Sequence, residues 1–199
     1  MTPQTFIFIG RSGCGKGTQV KLLDAYLKTQ DPSTPIYHLE TGDRFRKFIA
    51  GEGYTNSIAK EIMISGKRQP DFLAVWMWAN TFVEDLKGGE HMILDGISRS
   101  LPEAKILENA FEFYKREKIY IVYINVGRAW SEKHLLARGR ADDVSKDIKE
   151  RLDWYERDVV PAVEYFKTHE RYTFLDINGE QPIEKVYEDI IQNVFHVND

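Results

Sequence analysis

The chain is poor in the residues that build covalent or metal frameworks. It has a single cysteine, Cys14, so no internal disulfide can form and a reducing, cytoplasmic setting is expected. Its five histidines, at 38, 91, 134, 169 and 196, are scattered and show no ligand spacing such as HExxH, which argues against a structural zinc site. No apolar run approaches the ~20 residues of a membrane span, and no charged start followed by an apolar stretch reads as a signal peptide. Positive charge is not in excess either. Lysine and arginine number 27 against 31 acidic residues, a formal net charge of −4. Without a basic arm or interleaved aromatic and basic residues, nucleic acid is not expected as a partner. Internal repeats and linkers are also lacking. The 199 residues, 42% hydrophobic, suffice for one well-packed domain. No exposed apolar stripe announces an oligomer, so a monomer is expected.

What is present is organised around Gly10-Arg11-Ser12-Gly13-Cys14-Gly15-Lys16-Gly17-Thr18. Thr5 to Ile9 before it is short, apolar and β-branched or aromatic, the pattern of a buried strand. Val20, Leu23 and Leu27 after it have the spacing of an amphipathic helix. A strand, a glycine-rich loop and a helix form the setting of a phosphate-binding loop. Glycine lets successive N–H groups turn toward one anion, the helix N-terminus adds partial positive charge, and Lys16 adds a full one. The spacing from Gly10 to Gly15-Lys16 matches the phosphate-loop pattern, except that Gly17 stands where Ser or Thr usually offers a hydroxyl to magnesium. A metal there would be held mainly by phosphate oxygens and water.

Strands and helices alternate along the rest of the chain. Strands are expected at 36–39, 91–94, 119–126 and 172–175, the 91–94 strand ending at Asp95. Two short helices at about 42–50 and 57–65 form an insertion spanning 41–70. Pro70-Asp71 opens a longer helix with a wide apolar stripe of Phe72, Val75, Trp76, Ala79, Phe82, Val83 and Leu86, on which Trp76 and Trp78 cannot both be placed. Ser100 caps the next helix, with Glu103 at the capping-box position. A long helix starts near Ser145 and should kink at Pro161. The last begins at Pro182. Five strands separated by helices imply a three-layer α/β fold: a five-stranded parallel sheet with right-handed crossovers and helices on both faces. Ligands in such folds sit beyond the carboxyl ends of the strands. The phosphate loop, Thr41-Gly42-Asp43, Asp95-Gly96 and Gly127-Arg128 all follow strand ends.

Asp95, at the end of a buried strand, is where a phosphate-loop protein places the acid that holds magnesium or its waters. Arg44, Arg46, Arg99, Arg138, Arg140 and Arg151 lie near strand-end loops or the segment expected to close over them. Arginine binds phosphate oxygens with fixed bidentate geometry. One loop with one lysine serves one triphosphate, so further arginines suggest a second phosphorylated ligand and a transferase rather than a hydrolase.

These motifs resemble the adenylate kinase family of nucleoside monophosphate kinases over nearly the whole chain. Gly13-Cys14-Gly15-Lys16-Gly17-Thr18-Gln19 is similar to the family's phosphate loop, its Gly-Thr pair included. Thr41-Gly42-Asp43 with Arg46 resembles the monophosphate-site motif, and Gly66-Lys67-Arg68-Gln69-Pro70 the segment whose backbone faces the acceptor base. Leu94-Asp95-Gly96-Ile97-Ser98-Arg99 resembles the Asp-Gly-Phe-Pro-Arg signature. Arg138, Arg140-Ala141-Asp142-Asp143 and Arg151 resemble the lid arginines and the acidic pair between them.

The resemblance implies reversible phosphoryl transfer from ATP·Mg²⁺ to AMP, giving two ADP. It places ATP on Ser12, Gly13, Cys14, Gly15, Lys16, Gly17, Thr18, His134, Arg138 and Gln181, with Asp95 holding Mg²⁺ through water. It places the monophosphate on Thr41, Arg46, Lys67, Arg68, Gln69, Gly96, Arg99, Glu103, Arg140 and Arg151. Lys16, Arg99, Arg138, Arg140 and Arg151 become the catalytic set. Residues 41–70 become the monophosphate-binding insertion and 138–143 a minimal lid, within one kinase domain over 1–199.

Four positions depart from the family pattern. Only Gly139 separates Arg138 from Arg140, so the lid is very short. Ile97-Ser98 stands for Phe-Pro, so the loop presenting Arg99 is expected to be built differently. His134 takes the place of an arginine that stacks on the ATP base. Glu103 replaces a glutamine that faces the base of AMP. An ionised carboxylate only accepts, which suits guanine's N1–H and N2–H₂ better than adenine, but the same side chain can instead fold back in the capping box. AMP is the first acceptor and GMP or another monophosphate the alternative. A nucleotide-binding regulatory protein without turnover is the reading from a different class. Lys16, Asp95 and the arginines between two phosphate sites argue against it. Cys14, near a helix N-terminus and Lys16, is either an oxidisable thiol or a small residue that fits a tight loop.

Overall fold

The computed structural model describes residues 2–139 and 145–195. Its elements run β1 (Gln4–Ile9), α1 (Lys16–Gln30), β2 (Ile36–Glu40), α2 (Thr41–Phe48), α3 (Tyr54–Ile64), α4 (Asp71–Asp85), β3 (His91–Asp95), α5 (Leu101–Phe113), β4 (Lys118–Asn125), α6 (Arg128–Arg138), α7 (Ser145–Trp154), α8 (Val160–Thr168), β5 (Thr173–Asn178) and α9 (Ile183–Phe195). The five strands form one parallel sheet in the order β2-β3-β1-β4-β5. Among the described residues no helix is long and apolar enough to cross a membrane.

β1 shows why the sheet needs helices on both sides. Phe6 and Phe8 point into one layer, against Val20, Leu23 and Leu27 of α1 and Val186 and Ile190 of α9. Ile7 and Ile9 point into the other, against Trp78 and Phe82 of α4, Leu107 and Phe111 of α5, and Phe166 of α8. With both faces covered, the strand reads as an unbroken apolar run. β1 lies at the centre of the sheet, so the loop that follows it opens at the middle of the carboxyl edge. β3 and β4 flank it in register, Phe8 beside Asp95 on one side and Val122 on the other. Helices α2 and α3 add a small core of their own, where Phe45 and Ala59 pack against Leu73, Ala74 and Met77 of α4.

One expectation is corrected here. The stripe foreseen on α4 is rotated. Leu73, Ala74, Met77, Trp78, Thr81 and Phe82 are buried, whereas Phe72, Trp76 and Val83 are 71%, 48% and 77% exposed. A helix apolar on all sides carries no periodic signal for its buried face, so only packing decides that Trp78 is the inner indole. At Pro161, where a kink is expected, the distortion takes a definite form: the chain widens just before it into a π-helical turn, Tyr155–Val159, with the Val160 N–H bonded to the carbonyl of Tyr155. Proline lacks an N–H and crowds the carbonyl four residues back, and the wider turn relieves both.

The opposite edge of the sheet holds a buried histidine. His91 Nδ1 accepts the Gln4 N–H at 3.1 Å, and its Nε2 faces Asp31 Oδ2 at 3.3 Å. These contacts specify the neutral ring with its proton on Nε2, and burial pushes its pKa down.

Candidate active site

A cavity of about 500 Å³ opens over the carboxyl ends of β1, β2 and β3. On its donor side Ser12, Gly13, Gly15, Lys16, Gly17 and Thr18 line the wall. Gly13 holds φ +84°, and a Cβ there would lie 3.0 Å from the Ser131 carbonyl oxygen, so the tight turn needs glycine. Lys16 folds onto its own loop. Its Nζ donates to the carbonyls of Gly10 at 2.7 Å and Arg11 at 3.0 Å. Cys14 does not line the cavity. It is 3% exposed and packs with Val20 and Leu23. Arg11, which sequence reading passed over, braces the loop from behind. It donates to the Val126 carbonyl at 2.7 Å, pairs with Glu156 and lies 4.6 Å over the ring of Tyr155.

The acceptor side is built from the ends of β2 and β3. Thr41 Oγ1 donates to the Asp95 carbonyl at 2.9 Å, which ties the start of α2 to the end of β3. Arg46 borders the cavity and pairs with Glu40 at 2.8 Å. Arg44 turns away to Asp85 on α4. Lys67, Arg68 and Gln69 also line the wall, with Arg68 paired to Asp71 and Asp158. Asp95 is buried at the cavity floor. Burial raises its pKa, and the nearby charge of Lys16 opposes the rise.

Arg99 and Glu103 form one unit. The Glu103 carboxylate accepts the Ser98 N–H at 2.9 Å and the Arg99 N–H at 2.7 Å. It thus folds back over the helix start, but onto amides that precede Ser100. Ser100 still caps α5, its Oγ accepting the Glu103 N–H at 3.3 Å. Burial raises the Glu103 pKa against those two bonds, while Glu103 also borders the cavity. Where Phe-Pro would shape this loop, Ser98 adopts φ +60°, unusual for a residue with a Cβ. Arg99 Nε donates to the Gly96 carbonyl at 2.8 Å. Its other N–H groups make no hydrogen bond to described residues, and they belong to a side chain that borders the cavity. Burial lowers the Arg99 pKa, with Glu103 and Asp95 opposing, yet a guanidinium stays charged at neutral pH.

The third wall comes from α6 and α7. Arg138, Arg151, His134 and Trp154 line it. His134 Nδ1 donates to the Trp130 carbonyl at 2.8 Å, and its ring stacks on Trp130 with centroids 3.4 Å apart. That leaves a flat face backed by a second aromatic. Leu135 of α6 packs with Ile148 and Leu152 of α7, which sets the two helices side by side. Arg140, Asp142 and Asp143 lie outside the described residues. Gln181 is not among the lining residues, and its amide donates to Asp189 at 2.6 Å. Trp154, His38 and Glu40 are among the lining residues that sequence reading missed. The position of Glu40 just before Thr41 was the one available signal. For Trp154 there was none, since an aromatic in a helix reads as core.

Among the described residues no group of three potential metal ligands occurs. A Cβ at Gly17 would stand 3.9 Å from Asp95 Oδ2, so a cation beside Asp95 would meet no side-chain hydroxyl at position 17 and would draw on phosphate oxygens and water.

A family model described as adenylate kinase matches residues 8–171. An adenylate kinase of Prochlorococcus marinus (strain MIT 9301) is 30% identical over 188 residues, 94% of this chain and 97% of its own length. Adenylate kinase 1 of a Nostoc species is 32% identical over 181 residues, 90% of this chain and 92% of its own. An adenylate kinase of Oenococcus oeni is 28% identical over 178 residues, 89% and 91% of the two chains. A match of this extent, laid over a cavity where one phosphate loop faces arginines from three other elements, shows that the chain belongs to the adenylate kinase family.

Proposed function

We propose that the chain is a nucleoside monophosphate kinase that moves a phosphoryl group reversibly from ATP to AMP, giving two ADP. The observation that carries this reading is Arg99. Its half-buried guanidinium is positioned by Gly96, and its remaining donors make no hydrogen bond to described residues in a cavity shared with Lys16. A charged donor set held at the wall of a cavity suits a phosphate.

Phosphoryl transfer needs positioning and charge neutralisation more than covalent help from the protein. Lys16 and the loop amides hold the β- and γ-phosphates of ATP. Arg46 and Arg99 hold the phosphate of the acceptor. Arg138 and Arg151, on the third wall, face the group in transit, with Arg140 joining them from the lid. The His134–Trp130 stack offers a face for the ATP base. Residues 41–70 act as the monophosphate-binding insertion and 138–143 as a minimal lid. Closure of both keeps water, a competing acceptor, from the phosphoryl group. Mg²⁺ bound with ATP would sit near Asp95 and neutralise charge on the phosphate oxygens. The protein acts as a monomer in the cytoplasm.

A coupled ADP-formation assay with AMP, GMP, CMP and UMP, beside a no-acceptor control, tests this. AMP should support turnover well above the rest, and Lys16→Met should reduce it by about a hundredfold or more. If no acceptor exceeds the control, the kinase reading falls.

A further inference from the structure

We propose that Trp154 is a positioning residue that pins the two halves of the acceptor wall together. The proposal rests on the kinase reading above. Trp154 ends α7, three residues after Arg151, so both side chains share one helix face. It is buried, and it borders the cavity. Its indole Nε1–H donates to the Gly66 carbonyl at 3.0 Å, a buried bond across 88 residues of sequence. The same ring lies 5.9 Å from the guanidinium carbon of Arg99. That is the outer limit of a cation–π contact, so the ring faces the Arg99 guanidinium as a nearby wall.

Gly66 is held a second time by α7. Its φ is +69°, and a Cβ would fall 2.8 Å from the Cα of Asp147. The backbone therefore presses directly on the helix that carries Trp154. Lys67, Arg68 and Gln69 continue from this corner along the cavity. Just beyond Trp154, Asp158 in the π-turn takes Arg68 at 3.2 Å. The indole thus joins loop 66–69 to Arg99 from the helix that carries Arg151, alongside the Asp147 and Asp158 contacts. Tryptophan supplies both requirements, a donor for the carbonyl and a flat face for the guanidinium. Phenylalanine keeps the face and loses the donor, whereas leucine loses both.

Steady-state kinetics of Trp154→Phe and Trp154→Leu, with melting temperatures to establish folding, separate positioning from packing. Loss of a buried hydrogen bond to the hinge of the acceptor segment should raise KM for AMP about five- to tenfold in Trp154→Phe. The KM for ATP should stay unchanged and kcat nearly so. Trp154→Leu should lower kcat as well, because Arg99 loses its wall. A residue that only packs would lower the melting temperature and leave the KM of the folded fraction untouched. Unchanged AMP KM in Trp154→Phe, or an ATP KM rising in step with it, overturns the proposal. Amide exchange of peptide 66–70 is read alongside and should quicken in Trp154→Phe. Wild-type protein without turnover of any monophosphate would refute the kinase reading separately. The pin is then judged on exchange alone, and unchanged exchange overturns it.

Discussion

Replacing Glu103 by glutamine separates two roles for that residue. In the structure its carboxylate receives two backbone N–H groups, from Ser98 and Arg99. An amide has a single oxygen, so one of the two N–H groups would face an NH₂ instead. A hydrogen bond to a buried charged group contributes about 1.5–3 kcal/mol. Removing the burial cost of a carboxylate offsets part of that loss. A net destabilisation of about 2 kcal/mol follows, equivalent to a melting temperature lower by about 4–8 °C for a chain of this size. The slackened loop carries Arg99, so kcat/KM should fall about tenfold for AMP and GMP alike, as for a misplaced phosphate contact. The assay is ADP formation with each acceptor, together with thermal unfolding. If Glu103 instead reads the base, glutamine's paired donor and acceptor would favour adenine. AMP would then gain on GMP, and the melting temperature would hold. A shift in the AMP-to-GMP ratio without loss of stability refutes the clamp.

Ser98 holds φ +60°, and its buried hydroxyl has no hydrogen-bond partner among the described residues. Ser98→Gly should therefore stabilise the protein by about 1 kcal/mol in denaturant unfolding, and a lower midpoint would contradict the strain argument. His91 is fully buried with its pKa pushed down, so the folded state binds fewer protons than the unfolded chain. Its contribution to stability is present above the ordinary histidine pKa of about 6.5 and is lost as pH falls below it. Melting temperature should decline from pH 7 to 5 in the wild type and decline less in His91→Asn, whose side-chain oxygen can still accept the Gln4 N–H; equal slopes would remove His91 as the cause.

Most of the fold was legible because its signals are local. Thr5–Ile9 reads as a strand, and the glycines with Lys16 read as a phosphate loop, within a window of fifteen residues. β-Strands separated by helices imply a parallel sheet, although the order β2-β3-β1-β4-β5 is a matter of long-range pairing. The arginines were legible as a set. Their individual fates were not, since Arg44 goes to Asp85 while Arg99 stays with the cavity. Charge and spacing say that an anion is expected. They do not say which cation a distant carboxylate will take.

By itself the sequence determined the class of fold and the strand–loop–helix of the phosphate-loop motif, because each depends on neighbours in the chain. Tertiary structure decided which tryptophan of α4 is inside, where the oxygens of Glu103 go and what Trp154 holds. The physical reason is common to all three. A helix apolar on every side has no preferred face until another element covers one. A buried carboxylate or indole N–H must find a partner, and its position in sequence does not tell which buried amide or carbonyl will be near. Trp154 and Gly66, 88 residues apart in sequence, meet because the loop between α3 and α4 is laid against α7 beside one cavity.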